Sequence, residues 1–318
     1  MIRTLRLASS FPLLRARLLL PALAAAAIVL AMACGSSAVP TVAPQPSTAP
    51  ADPLAITPIL ATTILEVGEQ RIAFLLATSQ GLITTPTALV TPVYLDGDGS
   101  RGPTMEAAFN LWPYGVRGSY STYANFDRAG RWRLDIQVDN PNGNDQVQIE
   151  IEVLEKSPVP ALGSIALLSD SKTLAGIGPI EEITTDYSPD PDLYQLSIRD
   201  AVGNPLPSVI VFASPAFCTS PTCGPQVDTV TELKERHVGQ ANFIHVEIYD
   251  NPAEIQGNLD RAEIFSVVDD WGLTSIEDYF NESWTFILDA DGRIDDRFEG
   301  FASLEELDAA LMKVLPQT

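Results

Sequence analysis

Positive charge is scarce in this chain of 318 residues. Lys and Arg number 19 against 41 Asp and Glu, a formal net charge of −22. So acidic a surface repels phosphate backbones and anionic lipid headgroups, which excludes nucleic acid as a partner. Histidine and cysteine are also rare, at 2 and 3 residues. A structural zinc site wants four Cys or His ligands, and no such spacing is present. The apolar run LLLPALAAAAIVLAMA (Leu18 to Ala33) is 16 residues long. That is short of the about 20 a membrane-spanning helix needs.

What is there begins with an address. Four arginines (Arg3, Arg6, Arg15, Arg17) and no acid precede Cys34. With the apolar run and its small-residue end they make the basic and hydrophobic regions of a secretory signal. LAMAC followed by GSS resembles the lipobox of bacterial lipoproteins. The resemblance implies cleavage before Cys34, lipidation of its thiol, and a membrane partner reached only through that lipid. An uncleaved N-terminal anchor is the alternative. Either reading puts the remainder outside the cytoplasmic membrane, where disulfides persist.

After the signal (1–34), residues 35–58 are mostly Pro, Ala, Ser and Thr, a composition that buries no core and reads as an extended tether. Residues 59–155 read as all-β. Short runs such as RIAFLLAT, TALVTPVYL and RWRLDIQVD are separated by the turn signals SQG, DGDGS and DRAG. In VQIEIEV, Val147, Ile149, Ile151 and Val153 alternate with polar residues, as in a half-buried strand. The spacing predicts a β-sandwich of about seven strands. YANFDRAGRWRLDIQV resembles the late strands of immunoglobulin-like envelope domains, which implies a buried Trp132. DGDGS lacks the later ligands of a calcium loop and reads as a turn. Residues 156–192 read as a linker, with Pro189 and Pro191 arguing against helix.

From 193 to 318 the pattern changes. PSVIVFAS and ANFIHVEIYD are continuous apolar strands of the kind buried on both faces. PQVDTVTELKERHV and AEIFSVVDDWGL have helical period, the second closed by Gly272. WTFILDADGRIDDRFEG reads as a hairpin with an Asp-Gly turn, and SLEELDAALMKVL opens on a capping box. A β-α-β-α-β-β-α order means a mixed sheet covered by helices. This order, with cysteines directly after the first strand, resembles the thioredoxin family. Cys223-Gly224-Pro225 matches the first three residues of its CGPC motif, and Gln226 stands where the second cysteine falls. The expectation is therefore a multidomain chain. An all-β, immunoglobulin-like sandwich precedes an α/β thioredoxin-like domain with a mixed sheet.

The chemistry centres on Cys218 and Cys223. The resemblance leaves two registers open. Either Cys223 takes the nucleophile's place, or the strand runs ungapped, Phe217 stands where the family has Trp, and Cys218 is the nucleophile. Both put the thiols where a strand hands over to a helix, whose free N–H groups and dipole stabilise a thiolate. The resemblance further places His245 on the central strand as a possible general base. His237 reads as a cation near a helix C-terminus. The implied function is thiol–disulfide exchange with extracytoplasmic protein thiols or disulfides, needing no bound cofactor. Two readings stand beside it. One is a binding or scaffold module whose disulfide is a staple. The other is copper delivery, which thiolates and imidazole would suit.

Overall fold

The computed structural model describes residues 55–316 apart from 114, 116, 141, 142, 219 and 277–281. The signal segment, Cys34 and all but the last residues of the expected tether lie outside the described residues.

Nine strands occupy residues 57–154. They are β1 (Thr57–Leu60), β2 (Leu65–Glu66), β3 (Gly68–Thr78), β4 (Gly81–Leu82), β5 (Thr87–Tyr94), β6 (Met105–Leu111), β7 (Gly118–Phe126), β8 (Gly130–Asn140) and β9 (Gly143–Leu154). All belong to one sheet, in the order β1-β3-β7-β6-β5-β8-β9-β2, with β4 on β3. Only the β2–β9 pair is parallel. Alternation in the sequence sets the inner face: Ile72, Phe74 and Leu76 of β3 and Leu134, Ile136 and Val138 of β8 are buried together. On β9, Gln148, Glu150 and Glu152 are exposed, while Val147, Ile149, Ile151 and Val153 face the core. Trp132 packs edge-on against Tyr94 and Phe126, with centroids 5.1 and 5.2 Å away, and its indole N–H donates to the Arg128 carbonyl.

The sheet curls. β1 and β2 lie at opposite ends of it, yet only residues 61–64 separate them. That span reaches about 18 Å at most, so the two edges are drawn toward each other. Backbone bonds hold both sides: Ala61 N of the connecting chain donates to Ala73 O of β3, and Val67 N, just after β2, to Leu154 O of β9.

A second sheet has the order β11-β10-β12-β13, from β10 (Ser208–Ala213), β11 (Asn242–Glu247), β12 (Trp284–Leu288) and β13 (Ile294–Glu299). β10 runs parallel to β11 and antiparallel to β12, and β12 pairs antiparallel with β13. Asp289 shapes the β12–β13 turn, its Oδ1 accepting from Asp291 N and Arg293 N. The helices are α1 (Leu174–Ile177), α2 (Ile198–Val202), α3 (Cys223–Arg236), α4 (Pro252–Ile255), α5 (Ser266–Asp270) and α6 (Leu304–Val314). α3 and α6 pack Val230, Leu233, Leu307 and Leu311 onto one face of the sheet. The other face meets α2, α5 and irregular chain around Val159, Tyr249 and Trp271. The capping box read at Ser303 is present, with Glu306 returning to the Ser303 N–H. Among the described residues no helix is long and apolar enough to cross a membrane.

This architecture corrects the expected fold class. The described residues are mostly β and about 22% helical, with a large curled sheet and a smaller one, which fits neither an immunoglobulin-like sandwich nor an α/β thioredoxin-like domain. Strand spacing anticipates strands, but pairing decides architecture. The first strands join one continuous sheet instead of dividing into two facing ones. Segments expected as full helices shorten too: AEIFSVVDDWGL yields only the five residues of α5. Four of the six helices are four or five residues long, so irregular chain takes over much of the covering.

Buried polar contacts tie the two sheets together. Arg71 of β3 pairs with Glu306, and Arg297 of β13 pairs with Glu66 and donates to the side-chain oxygen of Gln70. The Tyr123 hydroxyl donates to Asp296, and Thr63 N and Ile64 N donate to Glu299. A charge removed from water needs such partners, so these contacts fix how the sheets meet.

Candidate functional site

β10 ends at Ala213, and residues 214–222 cross to the start of α3. Cys218 and Cys223 form a disulfide across this loop, with Cα atoms 5.8 Å apart. Cys223 is the first residue of α3 and is 0% exposed, whereas Cys218 is half-buried. An incoming group therefore meets Cys218 first. Phe217 N donates to Ser214 O, and the Phe217 ring lies edge-on to Tyr249. Gly224 and Pro225 belong to the first turn of α3. Proline is tolerated there because a first-turn N–H has no partner within the helix. Gln226 stands in the next position, buried, with its side-chain oxygen accepting from Ala302 N.

The helix N-terminus beside the disulfide has no side-chain cap. Thr222 occupies the capping position, but its hydroxyl goes to Glu282 (3.3 Å) and Ser220 (2.5 Å). The dipole of α3 places partial positive charge at Cys223, the first residue of the helix.

Two acids flank the loop, Glu247 buried and Glu282 half-buried, and sequence reasoning passed over both. Glu282 accepts from the Ser220 hydroxyl at 2.5 Å, and Ser220 Oγ lies 3.9 Å from Cys218 Sγ. Burial pushes the Glu282 carboxyl up, against the hydroxyls of Ser220 and Thr222, which pull it down. Glu247, at the end of β11, accepts from Thr185 N (2.8 Å) and Thr185 Oγ1 (2.7 Å). Burial raises its pKa as well. Thr185 Oγ1 also accepts from Ala216 N of the cysteine loop, at 3.3 Å. No local signal marks Glu282, since its partners lie 60 and 62 residues away in sequence.

His245 lies on β11 and is 1% exposed. Its Nε2 faces the Ala213 carbonyl at 3.0 Å. A carbonyl only accepts, so Nε2 carries the proton and Nδ1 accepts from the Tyr194 hydroxyl at 2.7 Å. Burial lowers the imidazole pKa to about 4. The neutral ring thus spends both nitrogens on neighbours, with none turned to the cysteines as a base or to a metal. His237 caps the C-terminus of α3 and pairs with Asp308 at 2.6 Å.

Between the disulfide loop, β1 and β3 of the large sheet, and β12 lies a cavity of about 560 Å³. Ser220 and Thr222 reach it from inside the disulfide ring, and Glu282 and Glu299 carry its carboxyls.

No protein-family model matches the chain, and no curated protein matches it. The residues themselves carry the functional reading.

Proposed function

We propose that the protein carries out thiol–disulfide exchange through Cys218 and Cys223, outside the cytoplasmic membrane and held there by lipid on Cys34. The observation that supports this most directly is the asymmetry of the pair. One sulfur is half-buried, and the other is fully buried at the N-terminus of α3. In the reduced protein the Cys218 thiolate attacks a substrate disulfide. The Cys218–substrate S–S bond forms, the substrate S–S bond breaks, and the departing substrate thiolate takes up a proton. Cys223 then attacks Cys218 Sγ and expels the second substrate thiolate. The substrate gains two electrons and the protein disulfide returns. The reverse sequence oxidises a substrate dithiol. In that direction Cys223 is the leaving group, and the N–H groups of α3 stabilise its thiolate. Ser220 and Glu282 form a path for the Cys218 proton, from sulfur to hydroxyl to a carboxyl raised by burial.

The deciding experiment is the reduction potential of the pair in glutathione buffers, read by thiol-specific mass labelling. A potential above about −300 mV supports exchange. A value well below that marks an inert structural bond and gives the disulfide to the staple reading, which the complete burial of Cys223 would then explain.

A further inference from the structure

The cavity beside the disulfide loop has the size and lining of a small-molecule site. Its 560 Å³ falls within the roughly 300–1,000 Å³ typical of such pockets. Most of its wall is apolar: Leu60, Leu75, Ile276, Phe301 and the two indoles Trp112 and Trp284. Three observations say what the occupant carries.

The first is an unanswered donor. Trp284 is 1% exposed, lines the cavity, and its indole N–H has no acceptor among the described residues. The Trp112 indole N–H, on the same wall, is buried and has no acceptor among the described residues either. Buried donors are nearly always satisfied, so an open one marks a place for an acceptor. The second is negative charge that meets hydrogen-bond donors but no cation. Glu282 and Glu299 both line the cavity and make no ion pair among the described residues. Burial raises both carboxyls, and the charge of Glu282 raises Glu299 further. A cation arriving between them would relieve both effects. The third is ligand number. A hard metal ion needs about six oxygen ligands, and the apolar wall does not supply them. The faces of the aromatic rings, together with a carboxylate, suit an organic ammonium group instead.

We propose that this cavity binds a small organic cation. Its aromatic or aliphatic body lies against Trp112, Trp284 and Phe301, a hydrogen-bond acceptor meets the Trp284 indole N–H, and its ammonium group sits at Glu282. The net charge of −22 concentrates such cations near the protein. This site shares Ser220 and Glu282 with the proposed proton path, but cation binding does not require the cysteines to exchange.

The test is calorimetric titration of the purified full chain with three isosteric probes: 4-phenoxybenzylamine, 4-phenoxybenzyl alcohol and 4-phenoxybenzoate. All share the rings and the ether oxygen and differ only in end-group charge. The amine is expected to bind saturably, at least about tenfold tighter than the benzoate and several-fold tighter than the alcohol. In Glu282→Gln the preference of amine over alcohol is expected to vanish. Leu75→Trp, which fills the cavity from a partly exposed position on β3, is expected to abolish binding of all three. Equal binding of benzoate and amine would overturn the proposal, as would an amine preference that survives Glu282→Gln. So would absence of saturable amine binding at millimolar concentration. If a Phe-Lys peptide bound where the amine did not, the cavity would belong to a protein partner and the small-molecule assignment would fall.

Discussion

Arg71 Nε donates to Glu306 Oε1 across 2.9 Å, joining β3 of the large sheet to the residue that closes the capping box of α6. One carboxylate thereby serves a helix terminus, a guanidinium and the Ser121 hydroxyl at 2.6 Å. Removing either partner leaves a buried charge alone. Glu306→Gln or Arg71→Ala is expected to cost about 3–5 kcal/mol in urea denaturation. Replacing both with apolar residues is expected to cost much less than the sum of the single changes.

The same carboxylate predicts acid lability. Burial raises Glu306, but Arg71 and the Ser121 and Ser303 hydrogen bonds outweigh it and hold the pKa below the ordinary carboxylate range. A depressed folded pKa contributes stability above the unfolded value of about 4.3, and that stability is lost as pH falls through the folded pKa. Glu299 runs the other way. Its pKa is raised chiefly by burial, so its contribution is full below the unfolded value and lost as pH rises through the folded one. Glu299→Gln is therefore expected to be more stable than the parent at pH 8, with the gap closing as pH drops below about 4. Thermal melts at a series of pH values check both signs.

The strands were legible in the sequence because side-chain alternation is local. VQIEIEV on β9 and the apolar runs of β10 and β11 announce themselves within a few residues. The curled sheet was not, because nothing near Thr57 or Leu65 says that β1 joins β3 while β2 joins β9. The same divide runs through the site. Cys218 and Cys223 stand out by their type and spacing, and they meet. Glu282 matters only because the fold brings it to Ser220 and Thr222. His245 looked like a base by its place on the strand. Tyr194, on a 3₁₀ turn 51 residues upstream, occupies its Nδ1.

That pairing makes His245 silent in the physiological range. With a pKa of about 4, the ring is expected to show no titration between pH 5 and 8 in ¹⁵N-edited NMR, and its chemical shifts should report protonation at Nε2. Folding favours the neutral ring, so the His245 contribution to stability declines as pH falls from about 6.5 toward 4. Tyr194→Phe leaves a buried acceptor open and is expected to cost about 1–3 kcal/mol.

Single cysteine variants separate the roles of the two sulfurs. Cys223→Ala is expected to accumulate a mixed disulfide at Cys218 with a disulfide-bearing peptide, seen by mass spectrometry. Cys218→Ala is expected to form little, because its remaining thiol is 0% exposed. Equal trapping by the two variants would contradict the assigned order of attack.

Gly272 follows α5 with φ of 71°, and a Cβ added there would meet the Pro158 carbonyl oxygen at 2.1 Å. Backbone would have to shift, and the left-handed conformation disfavours a side chain besides. Gly272→Ala is expected to destabilise by more than about 1 kcal/mol, measured by denaturant midpoint.

The curl of the nine-stranded sheet also governs how the molecule behaves in a crowd. An open sheet of this size would offer two long rows of unpaired amides to a neighbouring chain. Here the sheet ends in strands of four residues (Thr57–Leu60) and two residues (Leu65–Glu66). A foreign strand gains few backbone hydrogen bonds by docking at either, so exposure to edge pairing falls on β9, whose residues 143–152 run past the short cover of β2.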